Sequence, residues 1–212
     1  KDVLYGDDGI DTLKGESGDD TIFGGIGNDI IYGGLGTDIA SGEAGNDIFI
    51  FDNIDDSDDI IYGGDSLGTD TGIDTVDYSK SADGMTITLG DGNNKGTAES
   101  EFQGTDSLYG IENVIGSNKT LYSDIITGNS VANTLSGLAG NDTIYGAAGA
   151  DTIYGGANDD ELHGGNDSDS IDGGTGNDKI YGDAAADILT GGLGNDTFFL
   201  GKDDGLDVID GN

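Results

Sequence analysis

The chain has no cysteine, no proline and no tryptophan, a single methionine, and only 7 basic residues in 212. Without cysteine, neither a disulfide framework nor a zinc–thiolate site can form. The 42 glycines come with no proline, which excludes a collagen-like chain. No run approaches the roughly 20 apolar residues of a membrane span. No basic-then-apolar stretch opens the sequence as a signal peptide would, so any secretion address is expected elsewhere. The shortage of positive charge constrains function most. Against 43 acidic residues it leaves a formal net charge of −36. Such a chain repels itself, and composition alone reads as disorder. The field has the wrong sign for nucleic acid or an anionic membrane surface. A cationic partner is required, and small metal ions are the simplest one.

What is present is order with a period of nine. Five units run in frame from Gly6 to Ile50 and eight from Gly128 to Phe199. Position one is always glycine. Position six is Asp11, Asp20, Asp29, Asp38 and Asp47 in the first run. In the second it is Asn133, Asp142, Asp151, Asp160, Asp169, Asp178, Asp187 and Asp196. Position eight is apolar throughout, from Leu13, Ile22 and Ile31 to Leu189 and Phe198. The first six residues are turn material, because glycine at positions one, two and four allows positive φ. Asn158 and Asp167 replace the fourth-position glycine with residues that tolerate left-handed geometry. Val131 and Ala185 do not fit that rule, so distorted loops are expected there. The last three residues form a short strand with its middle side chain inward, and stacking such strands into a parallel coil buries a thin apolar column. Each buried Leu or Ile contributes roughly 1.5–3 kcal/mol, whereas ordering each residue costs about 1.5 kcal/mol. One large apolar residue in nine cannot hold the fold, so a ligand must supply the difference.

The consensus GGxGxDxUx, with U a large apolar residue, resembles the nonapeptide of the repeats-in-toxin (RTX) family of calcium-binding repeats. Gly24–Tyr32 and Gly191–Phe199 match it at every defined position. The resemblance implies an all-β fold: a parallel β-roll in which two nonapeptides make one turn and Ca²⁺ sits between loops n and n+2. It implies that loop n gives its aspartate and the carbonyls of positions two and four. Loop n+2 gives its own aspartate and the carbonyls of positions one and three, a set of oxygens that suits Ca²⁺. Carried over, Asp11 pairs with Asp29, Asp20 with Asp38, and Asp29 with Asp47. In the second block Asp142 pairs with Asp160, Asp151 with Asp169, Asp160 with Asp178, Asp169 with Asp187, and Asp178 with Asp196. Asn133 facing Asp151 makes a weaker terminal site. The glycines implied as main-chain ligands are Gly9, Gly18, Gly24, Gly25, Gly27, Gly33 and Gly42 in the first block. In the second they are Gly140, Gly146, Gly149, Gly155, Gly156, Gly164, Gly165, Gly173, Gly174, Gly176, Gly182 and Gly191. Roughly nine ions or more would then bind, three plus six by the n, n+2 rule, and would cancel about half of the charge.

This divides the chain into a first block (1–50), a β-rich connecting segment (51–127), a second block (128–199) and the start of a further linker (200–212). Asp2 and Leu4 fall in register ahead of Gly6, so a piece of a longer array is expected. Asp74–Tyr78 and Met85–Leu89 alternate at the strand period. Asp106–Gly116 resembles the linker seen between repeat blocks in this family, and 119–127 reads as a decayed repeat with Asp124 and Ile126 in register. A second ordered β segment is expected here, with a flexible tether as the alternative. Asp207–Gly211 echoes Asp59–Gly63.

Several motifs compete with this reading. Gly64-Asp65-Ser66-Leu67-Gly68 matches a GxSxG elbow and a GDSL hydrolase signature, with Asp160 and His163 as an Asp-x-x-His. No helical period follows Gly68, however, and Asp160 and His163 already sit in frame in a repeat. Asp91–Phe102 begins like an EF-hand loop but has Phe102 where a bidentate Glu is needed. An ice-binding face would need Thr at position three and Asn at position five more regularly than they occur. Tyr32, Tyr145, Tyr154 and Tyr181 at position nine suit packing on neighbours better than a ligand face. No catalytic and no organic-cofactor residue is assigned. The expected function is a Ca²⁺-binding module of a larger, type I-secreted Gram-negative protein, placed outside the cell or on its surface. Its partners are calcium and other domains of the same chain, with no nucleic acid and no membrane insertion. The host is expected to be an adhesin or a toxin, the repeat region of a secreted hydrolase or epimerase being the alternative.

Overall fold

The apolar residue at position eight sets the local structure. A turn of glycine and aspartate precedes it and more exposed residues flank it at positions seven and nine, so only the alternation of a strand suits it. The computed structural model describes residues 1–51, 57–64, 72–92, 94–100, 104–200 and 205–211. Among these the repeat triplets are strands and no residue is helical. No helix, accordingly, is long and apolar enough to cross a membrane.

The chain forms two compact units, Lys1–Ala82 with Ile87–Asn113, and Asp83–Thr86 with Val114–Asn212. In the first unit one parallel sheet orders Val3–Tyr5, Thr21–Ile26, Ile39–Ala44, Ile60–Tyr62 and Gly104–Tyr109. Gly96–Ser100 pairs antiparallel with the last of these. The other sheet orders Thr12–Lys14, Ile30–Tyr32, Ile48–Ile50 and Thr75–Asp77, all parallel. In the second unit one sheet orders Ile125–Thr127, Thr143–Ala148, Glu161–Asn166, Lys179–Asp183 and Thr197–Phe199. Its companion orders Thr134–Ala139, Thr152–Ala157, Ser170–Thr175, Ile188–Leu193 and Val208–Asp210. Partners in the repeats are two nonapeptides apart, as in Val3 with Thr21 and Thr143 with Glu161. The fold is therefore the expected parallel β-roll, a solenoid.

The column at position eight is buried as the period requires. Ile22, Ile31, Ala40 and Phe49 are at most 1% exposed, and so are Leu135, Ile144, Ile153, Leu162, Ile171, Ile180 and Leu189. Leu13 and Phe198 are only half-buried. In the first unit Ile31 and Phe49 of one sheet and Ala40 and Ile61 of the other line a common interior. The strands are longer than the expected triplet. Thr21–Ile26 and Thr152–Ala157 each run six residues, because positions two and three of the following loop also pair with the loop two units away, as Gly25 does with Glu43.

The turns explain the glycines. Position one, expected to need positive φ, is not left-handed in any repeat; position two is, Asn129 apart, even where it is not glycine, with φ between 66° and 79° at Asp7, Glu16, Glu43, Leu138, Ala147 and Asp183. Position four is left-handed at Asn158 (85°), Asp167 (71°) and Ala185 (86°), so Ala185 adopts the regular turn despite its Cβ. Val131 does not, and neither does Asn129 two residues before it. Only that half of the expected distortion is present. The connecting segment contributes strands of its own, including Thr75–Asp77, Thr86–Thr88, Gly96–Ser100 and Asn113–Ile115.

Candidate metal centres

Each turn ends on its position-six aspartate, and parallel stacking carries that residue to the one two loops on. The main-chain N–H of Asp11 donates to Asp29 Oδ1 at 2.8 Å, Asp20 to Asp38 at 2.7 Å, and Asp29 to Asp47 at 2.7 Å. In the second unit Asp142 donates to Asp160 (2.8 Å), Asp151 to Asp169 (2.8 Å), Asp160 to Asp178 (2.9 Å), Asp169 to Asp187 (2.9 Å) and Asp178 to Asp196 (3.0 Å). Asn133 donates to Asp151 at 2.7 Å. These are the pairs expected from the n, n+2 rule. One carboxylate oxygen of each accepting aspartate is thus consumed in holding the stack.

The other oxygen has a different fate. In Asp11, Asp20, Asp29, Asp142, Asp151, Asp160, Asp169, Asp178 and Asp196, Oδ2 is buried and accepts no hydrogen bond. A buried carboxylate oxygen with no partner is costly. A cation beside each of these nine would offset that cost. The surroundings agree. A methyl group on Gly155 would lie 2.5 Å from Asp160 Oδ2 and 2.7 Å from the Gly173 carbonyl oxygen; on Gly24 it would lie 2.6 Å from both Asp29 Oδ2 and the Gly42 carbonyl. The same cradle recurs at Gly6, Gly15, Gly137, Gly146, Gly164 and Gly173, always between the aspartate of loop n and the first carbonyl of loop n+2. Glycine at position one keeps open a spot on which oxygens converge. Among the described residues no three His, Cys, Asp or Glu side chains cluster. A cation held here is held by carboxylates together with main-chain carbonyls, a donor set of hard oxygens that fits Ca²⁺.

Burial also raises the carboxyls. It pushes Asp142 and Asp151 up to about 7, Asp160 to about 8 and Asp169 to about 6, partly offset by the N–H each accepts and reinforced by neighbouring carboxylates. Without a cation the folded roll therefore holds more protons than the unfolded chain, whose carboxyls titrate near 3.9. The linked stability is present at acid pH and is lost as pH rises through about 6–8. At neutral pH these rows oppose the ion-free fold. An unfolded ion-free chain has no such protons to release. Calorimetric titration with calcium at pH 6.5, in two buffers of different ionisation enthalpy, is expected to give equal heats. A buffer-dependent heat, signalling several protons released, would mean that the roll stands preformed.

The structure extends both rows beyond the nonapeptide blocks. In the first unit Asp38 donates to Asp59 Oδ1 (2.8 Å) and Asp59 to Asp106 (3.1 Å), while Asp47 donates to Asp74 (2.7 Å) and Asp74 to Glu112 Oε2 (2.9 Å). In the second, Asp124 donates to Asp142 (2.7 Å) and Asp187 to Asp207 (3.1 Å). The period of nine does not find Asp59, Asp74, Asp106 and Glu112. A shorter signal finds all of these but Asp74: an acidic residue, any residue, a large apolar residue, any residue, then glycine, as in Asp59–Gly63, Asp106–Gly110, Glu112–Gly116 and Asp124–Gly128; after Asp74 the fifth residue is Tyr78 instead of glycine.

The competing motifs lie partly outside the described residues. Asp65, Ser66, Leu67 and Gly68 lie outside the described residues, as do Asn93 and Phe102. At the start of the EF-hand-like stretch, Asn94 N–H closes a turn on the Asp91 carbonyl at 2.9 Å. His163 is stacked between Tyr145 (4.8 Å) and Tyr181 (4.2 Å), and Tyr181 on Phe199 (4.2 Å), so the aromatic position-nine residues of that sheet pack on one another.

A family model for the RTX calcium-binding nonapeptide repeat matches four times, at residues 5–40, 27–53, 123–162 and 163–198, more than half of the chain. No curated protein matches it.

Proposed function

This chain belongs to the RTX calcium-binding nonapeptide-repeat family, and from that membership we propose that it is a calcium-triggered folding module of a larger protein exported by a type I system. Nine buried aspartate oxygens without a partner carry the reading. The residues proposed to hold calcium are the paired aspartates, with main-chain carbonyls of the glycine turns between them. Bound Ca²⁺ supplies positive charge at those oxygens, and the chain's own residues do the rest. The Asp Oδ1 atoms fix the loop spacing, the position-one glycines keep the cradles open, and position eight supplies a column too thin to fold alone.

Extracellular modules bind calcium at roughly 10⁻⁴–10⁻³ M. Below that range a chain of charge −36 stays extended and fit to be threaded out of a cell; above it, binding free energy is folding free energy. The lack of cysteine and proline suits that route, leaving no disulfide to misform and no slow prolyl isomer. We assign the module to display and spacing of other domains in a surface adhesin or toxin, with no catalysis of its own. Small-angle scattering well below ~10⁻⁴ M free calcium is expected to give a radius of gyration near that of an unfolded chain of this length, about 50 Å, and a shorter one in excess calcium. Equal dimensions in both conditions would overturn the export reading.

A further inference from the structure

We infer that three turns take no calcium because the protein itself supplies the partner their side chain needs: Tyr78 at Asp106, Ser117 at Asp124, and Asn129 at Asn133. The inference rests on the calcium reading above and sharpens it, by naming residues that decide which turns bind.

In the first unit Asp106 sits in the same row as Asp20, Asp38 and Asp59, and its Oδ1 accepts the Asp59 N–H as every member of the row does. Its Oδ2 differs from the nine described above. It accepts the hydroxyl of Tyr78 at 2.9 Å. Tyr78 is 0% exposed and stacked on Phe51 at 4.3 Å, so the phenol is held there by packing. A neutral O–H then does for this carboxylate what a cation does for the others, and the ring fills the space beside it.

In the second unit the substitute comes from the residue that follows the glycine opening the turn, Ser117 after Gly116 and Asn129 after Gly128. In regular turns that residue is left-handed, as at Leu138 (68°) and Ala147 (79°); Ser117 and Asn129 are not. Their N–H groups instead donate to the position-six side chain. Ser117 N–H reaches Asp124 Oδ2 at 2.6 Å, its hydroxyl reaches Oδ1 at 3.0 Å, and Met85 N–H reaches Oδ1 at 2.7 Å. Asn129 N–H reaches Asn133 Oδ1 at 2.9 Å, and the Asn133 amide returns a bond to Asn129 Oδ1 at 3.1 Å. Ser117 and Asn129 are buried. Admitting a cation at either turn would break bonds already made, whereas at Asp160 it breaks none.

The test counts ions on the whole chain by native mass spectrometry in saturating calcium, for the wild type, D160N, D106N and the double variant N129G/N133D. D106N keeps both bonds, since its amide oxygen still accepts the Asp59 N–H and its amide nitrogen donates to the Tyr78 oxygen. The expected result is at least one ion lost in D160N, none lost in D106N, and one gained in N129G/N133D, which restores the consensus residues at positions two and six. An ion lost in D106N, or none gained in the double variant, overturns the inference. No loss in D160N would instead overturn the calcium reading on which it rests. If D106N did not fold, the gain in the double variant, which misfolding cannot mimic, would decide.

Discussion

Chelating calcium is expected to abolish the β-sheet circular dichroism of this chain, and titrating it back to restore the spectrum cooperatively between about 10⁻⁴ and 10⁻³ M. The expectation follows from what the folded chain must otherwise contain. Asp142, Asp151, Asp160 and Asp169 are each no more than 3% exposed, each has an oxygen without a partner, and burial raises every one of them. Ordering nine residues costs roughly 14 kcal/mol against the burial of one large apolar side chain per repeat. Neither term favours an ion-free roll at neutral pH. Cooperativity follows from the rows, because the loop that completes one cradle opens the next: the Gly173 carbonyl closes the cradle of Gly155, and Gly173 is itself the floor of the cradle of Asp178. Magnesium is expected to fail, since it demands a small octahedral shell and gives up water reluctantly. A spectrum already β-rich in chelator and unmoved by calcium would sink the mechanism.

Much of this was legible in the sequence because both determinants repeat in one frame. Glycine at one and aspartate at six fix the turn, and the apolar residue at eight fixes the strand and its inward face, so register followed from counting. Legibility ended where loops change length. Between Asp47 and Asp74, and again between Asp59 and Asp106, the chain lengthens its loops yet returns each acidic residue to its row. The period is lost there although the stacking is not. The cost of loop closure grows only logarithmically with length, so an insertion leaves the short strand that follows it in place. Tyr78 was invisible for a related reason. Its role depends on meeting Asp106, 28 residues on, and no local pattern encodes that meeting. The strands ran six residues where the apolar pattern marked three, because positions two and three pair through main chain alone and need no side-chain signature.

The sharpest test of the cradle itself is Gly155→Ala. Asp160→Ala removes a ligand and a charge together and also cuts the Oδ1 bond that spaces the loops, 2.8 Å from the Asp142 N–H, and Asp160→Asn, which can keep that bond, still removes the ligand and the charge. Gly155→Ala removes none of these. Its backbone is outside the left-handed region, so alanine is not strained by φ, but the added methyl stands 2.5 Å from Asp160 Oδ2 and 2.7 Å from the Gly173 carbonyl. It plugs the convergence point while every proposed ligand remains. Native mass spectrometry is expected to show one ion fewer, and the calcium midpoint for folding is expected to rise several-fold. At calcium a hundredfold above Kd, losing one site removes about 2.7 kcal/mol of linked stability. Gly156→Ala separates plugging from strain. Gly156 sits at φ 115° with the Leu138 carbonyl against it, so that variant is expected to destabilise the roll at every calcium concentration while keeping the ion count of whatever folds. If Gly155→Ala kept the full count and the wild-type midpoint, calcium would lie somewhere other than against Asp160 Oδ2, and the unpartnered oxygens would need a different cation or a different account.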